Sequence, residues 1–129
     1  MTTISQGLWE DMSVRGIPGD KITIIPNAVD HHTFAGPGAP DSALGARLRL
    51  TGKTVLAFFG SFYFYEGLHL LLHALPLLRK QKADLAVLLV GGGPEESNLR
   101  SMAREFGLGE NVVFAGRVAH EEMQRYYDS

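Results

Sequence analysis

The sequence predicts an α/β fold, a Rossmann-like parallel sheet flanked by helices. Two uninterrupted apolar runs, residues 54–59 and 85–90, have the composition of strands that are buried on both faces of a sheet. Each run ends in glycine and is followed by a segment whose apolar residues recur at helical spacing. This alternation of strands and helices indicates a parallel sheet that is covered by helices.

The first third of the chain predicts smaller elements. Residues 4–15 have the spacing of a short helix, and Gly16 and Pro18 end it. Residues 22–25 form a β-branched run that is typical of a short strand. A second short helix is expected over residues 42–50, before the first of the long apolar runs.

The remaining elements alternate along the chain. The helix predicted after the first long strand carries leucine at positions 68, 71, 72, 75 and 78. Pro94 suits the first position of the next helix, and Gly107 ends that helix. Residues 111–115 predict a third strand, and residues 121–127 predict one more helix. No strand follows, so we expect a truncated domain whose exposed sheet edge favours self-association.

The composition is that of a globular protein, and it excludes several kinds of site. The 129 residues are 45% hydrophobic and 20% charged, with a net charge of -2. Because the chain has no cysteine, disulfides, thiolate metal sites and a cysteine nucleophile are excluded. No basic stripe indicates a nucleic-acid partner. No uninterrupted apolar run approaches the roughly 18 residues of a membrane span.

Glycine marks the carboxyl ends of three predicted strands. Ligands of open α/β sheets bind beyond these strand ends. There glycine lets the backbone approach the ligand, and helix N-termini favour anions. We therefore predict a phosphate-bearing or nucleotide ligand. The pattern is neither a Walker A motif nor a G-x-G-x-x-G fingerprint, whose sixth position is Glu96 here. The glycines are Gly60, Gly91, Gly92, Gly93 and Gly116.

Four short motifs resemble those of family 4 glycosyltransferases, in the same order and at similar spacing. The loop G-S-F-Y-F-Y-E-G is similar to that of a bacterial exopolysaccharide subgroup associated with exosortase systems. The motifs are I-I-P-N-A-V-D at 24–30 with Phe34, this loop at 60–67, V-G-G-G-P at 90–94 with Leu99, and N-V-V-F-A-G-R-V at 111–118.

The resemblance implies an incomplete C-terminal domain of the two-domain GT-B fold. Residues 1–21 are then an interdomain helix and linker. Residues 22–129 are a partial nucleotide-sugar-binding Rossmann-like domain, truncated at the C-terminus. The backbone near Arg117 and Val118 is expected at the nucleobase, and the loop from Gly60 at the donor diphosphate. The expected donor-binding residues are Gly60, Ser61, Gly91, Gly92, Gly93, Gly116, Arg117 and Val118.

Two positions depart from the family pattern. Many members have Arg and Lys where this chain has Ser61 and Glu66, and those cations balance the charge of the donor diphosphate. A carboxylate repels phosphate, so Glu66, with Gly67 in the donor loop, is better explained as a favourable charge at a helix N-terminus. Ser61 is expected to donate one hydrogen bond to phosphate. Arg117, or residues outside the chain, must then supply the cation.

The resemblance implies transfer of a sugar from a UDP- or GDP-linked donor to a saccharide or lipid-linked acceptor. The implied setting is exopolysaccharide or cell-envelope glycan synthesis in the cytoplasm, at the inner face of the membrane. No cofactor and no metal are implied, and the N-terminal acceptor domain of the same enzyme is the implied partner. No residue suits catalysis, so we expect the isolated chain to be inactive. A GT-B sugar epimerase and a non-catalytic nucleotide-binding or interaction module remain as alternatives.

Three further groups have a functional and a structural interpretation. Asp30, His31 and His32 suggest a metal site, but adjacent histidines in an extended loop point apart, so a solvated loop is expected. His69 and His73 share a helix face and are expected to form its polar side. Of the aromatic residues between 58 and 65, the first two are expected in the core. The last four either grip an acceptor or partner domain, or pack the loop.

Overall fold

The computed structural model describes residues 1–29 and 38–128, and the chain divides into two compact units, Met1–Ala35 and Gly36–Ser129. This boundary differs from the one expected after residue 21. The difference arises because strand β2 (Thr23–Ile24) pairs with strand β1 (Thr2–Thr3) and therefore joins the N-terminal unit.

The N-terminal unit holds the predicted short helix and short strand. Helix α1 spans Gln6–Val14, and the hydroxyl of Ser5 caps it by accepting a hydrogen bond from the amide of Leu8 at 3.3 Å. The strands β1 and β2 run parallel, with Thr2 beside Thr23. The sequence therefore predicted these two elements correctly, with bounds that are one to two residues too wide at each end.

The second unit contains the predicted alternation of strands and helices. Its sheet is parallel throughout, with the strand order β3-β4-β5. The elements are α2 (Ser42–Arg47), β3 (Thr54–Ser61), α3 (Leu68–Gln81), β4 (Leu85–Gly92), α4 (Glu96–Glu105), β5 (Val112–Gly116) and α5 (Met123–Tyr127). The predicted parallel sheet flanked by helices is thus confirmed.

The core lies on both faces of the central strand β4. Leu85, Val87 and Leu89 point to one face, where they pack with residues of α3 and α4 such as Leu72 and Leu99. Ala86, Leu88 and Val90 point to the other face, where Tyr126 of α5 packs against the cluster. Burial on both faces explains why β4 is an uninterrupted apolar run.

The prediction that the first long strand is buried on both faces is wrong. Strand β3 pairs on one side with β4, and in the described part of the chain it is an edge strand of this sheet. Leu56 is 39% exposed, and Ala57 is exposed as well. The composition of β3 matches that of β4, but an apolar run does not reveal how many neighbours a strand has.

Two helix details also differ from expectation. Helix α4 begins at Glu96, so Pro94 lies in the turn before it and not at its first position. In α3, Leu68, Leu72 and Leu75 are buried, whereas Leu78 is 37% exposed. Among the described residues, no helix is both long and apolar enough to cross a membrane.

An ion pair joins α5 to the start of α2. Arg125 Nε donates to Asp41 Oδ2 at 2.9 Å, and Asp41 Oδ1 accepts a hydrogen bond from the amide of Leu44 at 2.9 Å. The Leu44 amide and then the Arg125 guanidinium lower the pKa of the Asp41 carboxyl. The same carboxylate raises the pKa of Arg125. Asp41 therefore caps α2 and links it to α5.

Candidate functional site

A cavity of about 390 Å³ opens at the carboxyl ends of the three parallel strands. This is the edge at which open α/β sheets bind ligands. Six of the eight predicted donor-binding residues line it. The lining residues are Phe59, Gly60, Ser61, Val90, Gly91, Gly92, Arg117, Val118, Met123 and Tyr127.

A Cβ would meet different neighbours at each of the three consecutive glycines. A Cβ on Gly91 would overlap the carbonyl oxygen of Gly60, and Gly91 has a φ of 138°. A Cβ on Gly93 would lie 2.7 Å from the amide nitrogen and the carbonyl oxygen of Phe62. Gly91 and Gly93 therefore allow close approach of two backbone segments. Gly93 was expected in the cleft, but it faces Phe62 and lies outside the cavity lining.

Gly92 is the glycine of the run that borders side chains of the site. A Cβ on Gly92 would lie 3.2 Å from Glu96 Oε2 and 3.5 Å from Arg117 Nε. Both atoms belong to side chains and not to backbone. The backbone of Gly92 is also fixed, because its carbonyl accepts a hydrogen bond from the Phe62 amide at 3.1 Å. Gly92 is therefore a buried, firmly held backbone position beside Arg117.

Apolar side chains form another part of the cavity wall. The rings of Phe59 and Tyr127 stack with centroids 4.1 Å apart and planes 26° apart. Val118 and Met123 complete this wall. The cavity lining thus divides into polar groups, which are the glycine backbone, Ser61 and Arg117, and apolar side chains that include aromatic rings. Such a division suits a ligand with an anionic end and a flat apolar end.

The other predicted donor-loop residues lie elsewhere. Gly67 has a φ of 74° and forms the N-cap of α3, and Glu66 is exposed in the short 3-10 turn Phe64–Glu66 before it. Neither lines the cavity. Gly116 ends β5 with a φ of 77° and lies next to the lining residue Arg117, but it is not part of the lining. These glycines permit left-handed turns between elements.

The sequence did not predict Met123 and Tyr127 as site residues. Both belong to α5, which lies across the face of the sheet that carries Phe59. A pattern of apolar residues predicts that such a helix packs on the sheet, but not which strand end it reaches. Phe59 was expected in the core, and it lies partly in the core and partly in the cavity wall.

The aromatic run and the histidines form a second region. Phe62 is buried at 1% exposure, whereas Tyr63, Phe64 and Tyr65 are exposed. The rings of Tyr63 and Tyr65 stack at 5.3 Å, and Phe64 stacks on His69 at 4.6 Å. Phe62 therefore anchors a loop that displays three aromatic side chains.

Metal binding finds no support in the part of the chain that the structure describes. Within residues 1–29 and 38–128, no three His, Cys, Asp or Glu side chains are grouped so that they could hold an ion. His73 contacts the ring of Phe106 with centroids 5.0 Å apart, so both helix histidines have aromatic neighbours. Asp30, His31 and His32 lie outside the described residues.

A family profile that matches most of the chain identifies the family. The profile of the glycosyl transferases group 1 matches residues 45–129. The chain belongs to this family. The match covers the whole sheet and every residue of the cavity lining.

Two mannosyltransferases are similar to this chain. O-antigen chain mannosyltransferase C of Escherichia coli is 38% identical over 104 residues, which are 80% of this chain and 25% of that enzyme. The GDP-mannose-dependent alpha-(1-6)-phosphatidylinositol monomannoside mannosyltransferase of Mycolicibacterium smegmatis is 32% identical over 114 residues, 85% of this chain and 29% of that enzyme.

The fold matches solved glycosyltransferase structures. The crystal structure of Anabaena Alr3699/HepE in complex with UDP and glucose has a TM-score of 0.78 at 22% identity, and the match covers 95% of this chain and 34% of that one. This likeness confirms the predicted fold, a partial Rossmann-like domain of GT-B glycosyltransferases. The chain spans a quarter to about a third of the length of the relatives named here.

Proposed function

We propose that this chain is the donor-binding part of a family 4 glycosyltransferase of the exosortase-associated subgroup. The whole enzyme would transfer a sugar from a nucleoside-diphosphate sugar to a saccharide or lipid-linked acceptor in exopolysaccharide or cell-envelope glycan synthesis. It would act in the cytoplasm at the inner face of the membrane, together with an N-terminal acceptor domain. The observation that carries the proposal is the two-sided cavity at the carboxyl ends of β3, β4 and β5.

The two sides of the cavity suit the two ends of a nucleoside diphosphate. Arg117 and the backbone of Gly60 and Gly92 offer a cation and close backbone approach to the diphosphate. The wall formed with Tyr127 and Val118 offers apolar contact to the flat base. The volume of about 390 Å³ falls in the usual range of small-molecule sites.

The base of the donor is expected to be guanine or uracil. The Mycolicibacterium relative is named as GDP-mannose-dependent, and the Escherichia coli relative is a mannosyltransferase. These names favour a GDP-linked donor for this chain. UDP is the nucleotide bound in the structurally similar Anabaena protein. Because its identity to this chain is only 22%, we give the guanine nucleotide precedence.

Donor binding without transfer is the behaviour that we propose for the 129-residue chain. Among the described residues, the cavity lining contains no carboxylate and no histidine to act on the sugar. We therefore assign no catalytic residue. An intact nucleotide sugar recovered after incubation with the chain supports donor binding, whereas conversion of its sugar to an epimer would indicate the epimerase alternative.

Calorimetric titration of the 129-residue chain with GDP and with UDP tests the proposal. Gly92→Leu fills the cavity without backbone strain, because Gly92 does not have a left-handed φ. Gly109→Leu is the matched control, since a Cβ there meets no atom within 4 Å and Gly109 lies outside the cavity.

We expect the wild-type chain and Gly109→Leu to bind one of the two nucleotides, and Gly92→Leu to bind it at least about tenfold more weakly. Thermal melting of both variants establishes that they are folded. Absence of binding by the wild-type chain would favour the interaction-module alternative. Unchanged binding by a folded Gly92→Leu variant would place the nucleotide elsewhere.

A further inference from the structure

One charged residue lines the cavity, and its charge is not balanced by a carboxylate in the described residues. Arg117 follows β5, and its Nε lies 3.5 Å from the position that a Cβ on Gly92 would occupy. Within residues 1–29 and 38–128 it takes part in no ion pair. By contrast, Arg49, Arg100 and Arg125 each pair with a carboxylate.

The carboxylate of Glu96 borders Gly92 in this part of the molecule and already pairs with another arginine. Glu96 Oε1 accepts hydrogen bonds from Arg100 Nε at 3.0 Å and from Arg100 Nη2 at 2.8 Å. Arg100 in turn lies over the ring of Phe114, with 4.3 Å from its guanidinium carbon to the ring centroid. Glu96 Oε2 and Arg117 Nε both lie within 3.5 Å of the same point beside Gly92. Arg100 therefore balances Glu96, and Arg117 retains its charge.

Arg117 is the one cation among the described residues that line the cavity. Ser61 is neutral, and Glu66 lies in the 3-10 turn outside the lining. An anion in this cavity would thus meet the guanidinium of Arg117 and backbone amides, without help from a lysine or another arginine of the described chain. A guanidinium suits this task, because its planar donors bind phosphate oxygens in pairs.

We propose that Arg117 is the residue that makes the site selective for phosphorylated nucleosides, because its guanidinium binds the donor diphosphate. This assignment rests on the proposed function and gives the diphosphate its counter-charge. Its position fits the expectation that the backbone near Arg117 and Val118 lies at the nucleobase. The backbone stays near the base, and the side chain extends towards Gly92 and the polar side of the cavity.

The assignment makes a second prediction about Glu96. Its carboxylate is fixed close to the region that a phosphate would occupy, and like charges repel. Glu96→Gln removes this charge and also frees Arg100. The variant should therefore bind the nucleoside diphosphate more tightly than the wild-type chain, by about two- to fivefold.

The test compares nucleosides with their diphosphates on the 129-residue chain. Guanosine, GDP, uridine and UDP are titrated while backbone amide shifts are recorded by NMR, which measures millimolar as well as tighter affinities. The variants are Arg117→Gln and Arg117→Lys. Arg104→Gln is the control, because Arg104 is also exposed, lies outside the cavity and carries the same charge.

We expect Arg117→Gln to lower the affinity for the preferred diphosphate at least about tenfold and to leave nucleoside affinity unchanged. Arg117→Lys should give an intermediate loss, and Arg104→Gln should match the wild-type chain. If Arg117→Gln kept full diphosphate affinity, or weakened the nucleoside equally, the assignment would be wrong while the proposed function stood. A wild-type chain that bound no nucleotide would overturn both.

Discussion

Gly91 lies directly against Gly60, its register partner across strands β3 and β4, so that a Cβ on Gly91 would overlap the Gly60 carbonyl oxygen. A Cβ on the next residue, Gly92, would have side-chain atoms of Glu96 and Arg117 as its nearest neighbours. The glycine run therefore combines close backbone approach at Gly91 and Gly93 with a position at Gly92 that borders side chains. This separation allows the stability and the binding role of the run to be tested independently.

Substitution of Gly91 should destabilise the fold far more than substitution of Gly92. Gly91→Ala places a Cβ against backbone and forces a φ of 138° on alanine, so we expect a loss of about 3 kcal/mol or more in the free energy of unfolding. Gly92→Ala should change it by less than about 1 kcal/mol. Urea denaturation of both variants measures the difference. Equal effects would contradict the assigned roles.

Of the Phe62 and Tyr65 side chains of the aromatic loop, only Phe62 should contribute strongly to the free energy of unfolding. Phe62 is 1% exposed, and its backbone holds two hydrogen bonds to the glycine turn, from its amide to Gly92 and from the Glu95 amide to its carbonyl. We expect Phe62→Ala to lower the free energy of unfolding by about 3 to 5 kcal/mol. Tyr65→Ala removes a side chain that is 78% exposed and should change it by about 0.5 kcal/mol or less. A large effect of Tyr65→Ala on urea unfolding would contradict this division.

The free energy of unfolding should fall in acid, and part of this loss should come from Asp41. The Leu44 amide and the Arg125 guanidinium lower the pKa of its carboxyl in the folded state. A group with a lowered folded-state pKa stabilises the fold above its unfolded pKa, about 3.9 for Asp, and loses this contribution as the pH falls through the folded-state value. Asp41→Asn should therefore lose less stability between pH 6 and pH 3 than the wild-type chain does.

The acid prediction is checked by urea unfolding at the two pH values. Asp20→Asn serves as the control, since Asp20 is an exposed carboxylate in the N-terminal unit. We expect the control to follow the wild-type pH dependence. An Asp41→Asn variant with the same acid sensitivity as the wild-type chain would show that the contacts of Asp41 do not contribute to it.

The free edge of β3 should promote self-association of the 129-residue chain. The strand is eight residues long, it carries no charged residue, and it pairs with β4 on one side in the described part of the chain. Uncharged edges of this kind invite pairing with another copy. Sedimentation velocity at rising concentration should show association, and Leu56→Lys should reduce it. A wild-type chain that stayed monomeric at high concentration would contradict the expectation.

The fold was predictable where local pattern and tertiary environment agree. Strand β4 is an apolar run because helices cover both of its faces, and the prediction of its burial is confirmed. Strand β3 has a similar composition, but it lies at the edge of the sheet in the described part of the chain. The prediction that both faces of β3 are buried was therefore wrong. The number of neighbours of a strand depends on chain topology, and the residues of that strand do not encode it.

The site was predictable to a similar degree. Gly60 and Gly92 were expected at one edge because parallel strands end together, and Arg117 was expected there from the family resemblance. The structure brings all three to one cavity. Gly93 was expected in the cleft but lies outside the cavity lining. It packs against the Phe62 backbone, and the sequence does not reveal this tertiary contact. Tyr127 was missed because the path of α5 across the sheet is also tertiary. The Arg125–Asp41 pair, which links α5 to α2, joins residues 84 positions apart.

Mapping a nucleotide onto the chain by amide shifts tests the central claim most directly. The 129-residue chain is titrated with GDP and with UDP, and the amides whose shifts change are located on the structure. The nucleotide cavity predicts saturable changes at Gly60, Ser61, Gly92, Arg117 and Val118, with Gly109 unaffected. Changes confined to other surfaces, or no saturable change with either nucleotide, would contradict the proposal that this cavity binds the donor.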